Sequence, residues 1–279
     1  MTSPGGPTVV QSLREYARGI AGGLMFSLPL LYTMEVWQTG FLAGPLRLLI
    51  FCGGTFVLLL GYNYHAGLHD DTCGAEVVID SVEEMGIGLM VSVAVLFLIG
   101  RISAEQNFSE VIGKICVEAM TVAIGTSVGT AQLGLPADAE KSKSKKPNEV
   151  HIGGQLVIAT CGAALFAANI APTEEVVVIA TSSSILQLLS CMFCSLLLAA
   201  LILYYIDFSG SERFVHNSGF ASIVVGTLAS YAVALSVAAA VLWLFGRFDH
   251  VGLVTILAET VVLGLVTTMG ASAGRLLVQ

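Results

Sequence analysis

Long apolar runs, separated by short polar connections, constrain the fold of this chain more than any other feature. About twenty apolar residues in a helix span a bilayer, and a spanning helix satisfies its own backbone hydrogen bonds. The chain is 55% hydrophobic and only 11% charged, whereas soluble domains carry about 25% charged residues. We therefore predict an all-α polytopic membrane protein with eight transmembrane helices. The predicted spans cover residues 16–40, 46–64, 77–99, 108–133, 152–181, 186–206, 220–245 and 253–277.

Rare residues recur in the same order along the two halves of the chain. The register-matched pairs are Gly22 and Gly162, Thr33 and Thr173, Glu35 and Glu175, Glu118 and Glu259, and Gly129 and Gly270. A Gly-Arg pair also ends the third run of each half, at 100–101 and 246–247. The pattern predicts two four-helix repeats, 1–134 and 151–279, joined by a charged cytoplasmic linker at 135–150. Because four spans is an even number, we expect the two repeats to be parallel.

The loop charges predict an orientation. With a cytoplasmic N-terminus, most Lys and Arg residues, including the four lysines of the linker, fall on the cytoplasmic side. This distribution follows the positive-inside rule. We expect a multi-pass protein of the plasma (inner) membrane with both termini in the cytoplasm.

Carboxylates inside apolar runs are the strongest functional signal. An ionisable group in a membrane span costs roughly 2.5–3.5 kcal/mol on insertion scales, so it is rarely without a role. Each of four glutamates lies about ten residues from the outer end of its run, or ~15 Å at the helical rise. These are Glu35, Glu118, Glu175 and Glu259. We therefore expect all four to converge on the axis between the repeats.

Neutral oxygen ligands and a further acid stand beside these glutamates. They are Glu174, Asn169, Thr33 and Thr173, with Thr126 and Thr267 on the spans of Glu118 and Glu259. Close carboxylates cannot all remain ionised without a cation or shared protons. Hard oxygen ligands suit Ca²⁺ and other divalent cations, although the sequence makes no cofactor certain. We predict cation transport, of a divalent cation or coupled to protons, through the paired glutamates at the repeat interface.

Other functions remain open. The alternatives are a cation channel with an acidic constriction, and a carrier or sensor that binds a small amine or a lipid. An enzyme is not expected, because no Ser/His/Asp, Gly-x-Ser-x-Gly or His-Glu-x-x-His pattern is visible. The net charge of −8 argues against nucleic-acid binding. Expected partners are membrane lipid and a small cation, and a homo-oligomer is possible.

Several polar residues allow a structural as well as a functional interpretation. A single glutamate in a span can simply hydrogen-bond to a neighbouring helix. The acidic residues Asp80, Glu83 and Glu84 read as an interfacial face or, if inward, as an acidic mouth. His65 and His69, with Asp70 and Asp71, are either polar loop residues or a metal face. Cys191 and Cys194 are read as packing residues.

Two segments carry a resemblance to a known family. They are residues 22–37, which include Leu-Pro-Leu-Leu-Tyr-Thr-Met-Glu-Val-Trp, and residues 169–175, Asn-Ile-Ala-Pro-Thr-Glu-Glu. With these segments the chain resembles, over nearly its whole length, a family of bacterial integral membrane proteins defined only as a domain of unknown function. The resemblance implies an inner-membrane protein with this number of spans. It implies no activity and no residue roles.

Overall fold

The structure, a computed structural model, describes residues 9–66, 74–103, 105–132, 152–205 and 220–277. The predicted linker at 135–150 lies outside the described residues, as do His69, Asp70 and Asp71. Within the described ranges the protein consists of ten α-helices, without strands. They are α1 Val9–Leu31, α2 Met34–Leu42, α3 Pro45–Ala66, α4 Gly74–Leu98, α5 Phe108–Gln132, α6 Ile152–Ile170, α7 Glu174–Ser182, α8 Ile185–Tyr205, α9 Phe220–Leu244 and α10 Leu253–Leu277.

The helices confirm a polytopic membrane protein. Seven of the described helices are long and apolar enough to cross a membrane, and an eighth span results if α1 and α2 are counted together. The apolar surface that these helices expose suits lipid rather than water. The prediction of an all-helical membrane protein is therefore confirmed.

The first predicted span, at 16–40, is not one helix. The axes of α1 and α2 differ by 85°, and Thr33 between them has an extended backbone, with φ −94° and ψ 117°. Pro29 lacks a backbone N–H and so weakens the helix just before the break. The predicted depth of Glu35 was counted along one continuous helix. That assumption was wrong, because α2 does not continue the direction of α1.

The fifth predicted span, at 152–181, also divides into a long and a short helix. The break falls at residues 171–173 and includes Pro172. Thr173 has an extended backbone, with φ −75° and ψ 148°, and precedes α7. The short helices α2 and α7 each have nine residues and begin 140 positions apart.

One helix lies at the centre of each half. Helix α5 packs against α1, α2, α3 and α4, and α10 packs against α6, α7, α8 and α9. The order of long and short helices is the same in both halves. A parallel relation between the halves stays a prediction.

Glycines allow the tightest helix crossings in both halves. A Cβ added to Gly22 of α1 would overlap the backbone of Gly129 in α5, and one added to Gly162 of α6 would overlap Gly270 in α10. Small residues let membrane helices approach backbone to backbone, where van der Waals contact replaces the missing hydrophobic driving force. The register-matched glycines of the sequence therefore hold the central helix of each half.

The two Gly-Arg pairs end helices α4 and α9 in the same way. Gly100 and Gly246 have positive φ, 69° and 74°, which glycine adopts without steric cost. The amides of Arg101 and Arg247 bond back to Leu96 and Leu242, both close to 2.9 Å. This is the Schellman ending of a helix, so the recurring pair specifies a helix end and aims an arginine.

The halves meet mainly through α6, which packs against α3 and also touches α1 and α5. The amide of Asn169 donates to the carbonyl of Phe26 at 3.0 Å. Farther along the interface, Arg47 at the start of α3 forms a bidentate ion pair with Asp249, at 2.6 and 2.5 Å. The interface thus joins a helix–helix contact to one ionic clamp.

Candidate functional site

Glu118 and Glu259 occupy matched positions on the two central helices. Their exposed fractions are 0% and 1%. Both carboxylate oxygens of Glu118, and Oε2 of Glu259, lack a hydrogen-bond partner among the described residues. A polar group buried without a partner costs several times what a hydrogen bond contributes, and a charge costs more. Among the unpaired polar groups of the described core, these two acids are therefore the most costly to bury in ionised form.

A buried carboxyl group without donors is stable only when its charge is neutralised. Transfer of an ion from water into a dry interior costs several kcal/mol or more even after relaxation. The group can take up a proton or hold a cation. Glu118 and Glu259 are thus suited to bind and release a positive charge.

Positive side chains lie near both acids, but each is engaged elsewhere. Lys114 is 8% exposed and lies one helical turn before Glu118. Its ammonium pairs with Glu110 and donates to the carbonyl of Arg101 at 3.3 Å. Glu259 interacts electrostatically with Arg247, whose guanidinium donates to backbone carbonyls. Neither acid forms an ion pair with these cations among the described contacts.

Trp37 stabilises the break between α1 and α2. Its indole N–H donates to the carbonyl of Leu31 at 3.1 Å, at the end of α1. The guanidinium of Arg101 lies 4.3 Å from the centre of the Trp37 ring, a cation–π contact. Arg101 therefore supports the tryptophan that satisfies this carbonyl.

Arg247 stabilises the break between α6 and α7 directly. Its Nε donates to the carbonyl of Ala171 at 3.3 Å, and Nη2 donates to the carbonyl of Pro172. In the sequence register, Ala171 matches Leu31 and Val177 stands in place of Trp37. The same freed carbonyl is thus satisfied by Trp37 in one half and by an arginine in the other.

The glutamates of the short helices are less buried than Glu118 and Glu259. Glu35 is half-buried in the first turn of α2, and Glu174 and Glu175 are exposed in the first turn of α7. Carboxylates are favourable there because of the partial positive charge of a helix N-terminus.

The four glutamates predicted to converge do not form one metal-holding group. The described residues contain no group of three or more His, Cys, Asp or Glu side chains that could hold a metal ion. The 85° bend between α1 and α2 redirects the helix that carries Glu35. Whether individual glutamates bind a cation stays a prediction.

The predicted neutral ligands bond mainly to their own helices. Thr33 donates to Pro29 and Thr173 to Ile170, at 2.7 and 2.8 Å. Thr126 and Thr267 likewise donate to carbonyls one turn earlier. Such bonds support the breaks and the helices. Asn169 differs, because its Oδ1 is buried without a partner.

Sequence reasoning missed a polar cluster between α3, α4 and α5. Asn63 donates to Glu84 at 2.8 Å and to Ser81 at 3.1 Å, and Ser127 of α5 donates to Asn63 at 3.2 Å. Glu83 is exposed and accepts a bond from Tyr16. Helical spacing could have separated the two acids, because Glu84 shares a face with the buried Ser81.

Comparison with known proteins agrees with this architecture. Residues 15–278 match the family described as "Putative integral membrane protein (DUF2391)". The chain belongs to the DUF2391 family. The resemblance carried by the segments at 22–37 and 169–175 is therefore confirmed. No curated protein and no solved structure matches the chain.

Membership of DUF2391 establishes an integral membrane protein whose activity the family does not define. The match covers both central helices, both short helices and the two buried glutamates. Several apolar helices around buried acids are compatible with a transporter or a channel. The function of this DUF2391 chain has to be argued from its site.

Proposed function

We propose that the chain transports cations across the membrane and that Glu118 and Glu259 are its two cation-binding groups. One observation carries the proposal. Each half buries one glutamate at the matched position of its central helix, with carboxylate oxygens that have no described partner. Ionisable residues inside membrane bundles mark ion pathways and proton relays.

A proton fits these acids better than a divalent metal ion. Ca²⁺ takes six to eight oxygen ligands, and Mg²⁺ needs six in a regular octahedron. The described residues contain no group of three or more His, Cys, Asp or Glu side chains that could supply such a ligand shell to either glutamate. A proton needs one carboxylate oxygen and no cage. The transported or coupling ion is therefore a proton, with Ca²⁺ as the cation to test against it.

Polar groups along α5 support a path for protons. Lys114 lies one turn before Glu118, and Ser127 lies nine residues after it, ~14 Å along the helix. On the opposite side of Glu118 from Lys114 along α5, Ser127 contacts the cluster formed by Asn63 and Glu84. Protons move between such groups through side chains and water. Glu118 stands between two polar regions that lie at opposite ends of its helix.

The experiment uses the full chain reconstituted into vesicles with a trapped pH-sensitive dye. We expect Glu118→Gln and Glu259→Gln each to lower proton flux at least about tenfold, because glutamine cannot titrate. Glu105→Gln is the matched control, since Glu105 is an exposed loop glutamate. Wild-type flux in both buried variants, with normal insertion, would refute the proposal.

The same vesicles discriminate the alternative functions. A channel passes current down a gradient in proportion to the driving force, whereas an exchanger moves a second ion in fixed stoichiometry with protons. Radioactive Ca²⁺ and a labelled amine are offered in separate runs. Uptake of either with no proton movement would favour a calcium pathway or an amine carrier. We propose no enzymatic activity.

A further inference from the structure

A cavity in the first half is lined by polar side chains, most of which have no polar counterpart at the matched position of the second half. It has a volume of about 250 Å³ and lies between α2, the end of α4 and the start of α5. Its polar lining includes Gln38, Arg101, Gln106, Glu110 and Lys114. We propose that this cavity binds the phosphodiester headgroup of an anionic phospholipid. The inference does not depend on the proposed ion transport.

The matched positions of the second half are mostly apolar. In the sequence register, Gln38 corresponds to Val178 and Trp37 to Val177, while Glu110 corresponds to Val251 and Lys114 to Thr255. The segment from Arg101 to Glu118 is also five residues longer than the segment from Arg247 to Glu259. The polar lining of the cavity therefore does not follow from the helix order that the two halves share.

The charges of the lining select a singly charged anion. Lys114 is neutralised by its ion pair with Glu110, which leaves Arg101 as the net positive charge. The guanidinium of Arg101 has one face on the Trp37 ring and no described hydrogen-bond acceptor. Its N–H groups form a fork that matches the oxygens of a phosphate. A phosphodiester carries one negative charge and two such oxygens.

An unpaired acceptor adds a second requirement. Oε1 of Gln106 is buried and has no partner among the described residues. A ligand that carries a hydroxyl group beside its phosphate satisfies this oxygen while the phosphate bonds to Arg101. The glycerol headgroup of phosphatidylglycerol has this combination. A choline headgroup has no hydrogen-bond donor and adds a positive charge.

The position of the cavity favours a lipid over a free anion. It lies where α4 ends and α5 begins, which is the end of two spans and hence the level of the headgroups. Met34 and Phe41 line it and are 58% and 61% exposed. Their apolar surface continues from the cavity and can contact acyl chains. Trp37 adds an aromatic residue of the type enriched at this level.

Trp37 provides a direct probe of this cavity. The chain has two tryptophans, so Trp243→Phe leaves Trp37 as the only one. The full-length protein with this change is placed in vesicles that contain brominated phosphatidylglycerol or brominated phosphatidylcholine. We expect quenching of Trp37 by the anionic lipid at about one tenth of the concentration needed for phosphatidylcholine, as one charge-assisted hydrogen bond provides.

Matched variants distinguish lipid binding in this cavity from a general attraction between anionic lipid and the positive charges of the protein. Arg101→Gln is expected to abolish the preference, and Gln106→Leu, which leaves Arg101 in place, to reduce it severalfold. Arg14→Gln removes an exposed positive charge at the other end of α1 and is expected to keep the preference. Equal quenching by both lipids in the parent protein would overturn the proposal. So would a loss of lipid preference in Arg14→Gln as large as that in Arg101→Gln. Relief of quenching by inorganic phosphate would assign the cavity to a free anion instead.

Discussion

At the scale of single residues, the two breaks show one requirement met by two different side chains. A helix that ends inside a membrane protein leaves carbonyls that need donors. Trp37 supplies one to Leu31, and Arg247 supplies two to Ala171 and Pro172. Arg247 stabilises its break by donating to backbone carbonyls, a role that the pattern of charges along the sequence does not indicate.

We predict that Arg247→Met destabilises the protein more than Arg101→Met. The first change removes both donors from the α6–α7 break, whereas the second leaves the bond from Trp37 to Leu31 in place. Loss of hydrogen bonds from a charged group costs roughly 1.5–3 kcal/mol each. Thermal unfolding of the purified variants in one detergent measures the difference. Equal stability of the two would contradict this account of the break.

A second prediction concerns Glu84. Replacement of Asn63 by Leu removes one donor from the half-buried carboxylate of Glu84 and removes the amide oxygen that accepts from Ser127. We expect lower thermal stability by about 1–3 kcal/mol, because a buried acid loses one of its hydrogen bonds. The double variant Asn63→Leu with Glu84→Leu should recover part of that loss. Additive effects of the two changes would show that the bond carries little energy.

The buried acids were identifiable from sequence, but their grouping was not. Glu118 and Glu259 were found because each is an acid inside an apolar run and because the two are register-matched. The arrangement of the predicted glutamates depends on which helices lie at the centre of each half, and no periodicity in the sequence reports that. Glu84 was missed for the opposite reason, since its acidic neighbours suggested a solvated face.

At the scale of helices, the sequence predicted the helical type of the elements but not that two of the eight predicted spans are each divided into a long and a short helix. Pro172 lies within the second break, and Pro29 lies shortly before the first. The 85° turn of α2 depends on tertiary contacts, including the backbone approach of Gly40 to Gly113 in α5. Such contacts are invisible when each run is read alone.

We predict that the glycine crossings tolerate no side chain. Gly22→Ala and Gly162→Ala each place a Cβ where the backbone of the central helix already lies, so the helices must separate. Gly54→Ala is the matched control, because open space surrounds its position on α3. We expect lower thermal stability for the first two by at least about 1–3 kcal/mol. Unchanged stability of both would mean that the crossings are looser than described.

At the scale of the whole molecule, one ionic clamp joins the halves near an end of the spans. Arg47 donates two hydrogen bonds to Asp249 and also lies over the ring of Trp243, at 5.5 Å. The hydrogen bonds from Arg47 lower the pKa of the Asp249 carboxyl. The two parallel hydrogen bonds make this a bidentate pair, which is stronger and more specific in geometry than a single hydrogen bond between charged groups.

The clamp predicts a dependence on pH. Because the pKa of Asp249 is lower in the folded protein than in the unfolded chain, its contribution is full above the unfolded value of about 3.9 and is lost as the pH falls through the folded value. We expect the unfolding temperature of the wild type to exceed that of Asp249→Asn near neutral pH. The difference should shrink below about pH 4. A difference that persists in acid would assign the effect to packing.

The packing of α6 against α1, α3 and α5 has a consequence for folding during synthesis. The first half finishes at residue 132, yet a face of its bundle stays without its neighbour until residues 152–170 enter the bilayer. The ribosome must therefore deliver the start of the second half before the first can complete its packing. A nascent chain halted in the connecting segment would hold a half-built bundle at the translocon.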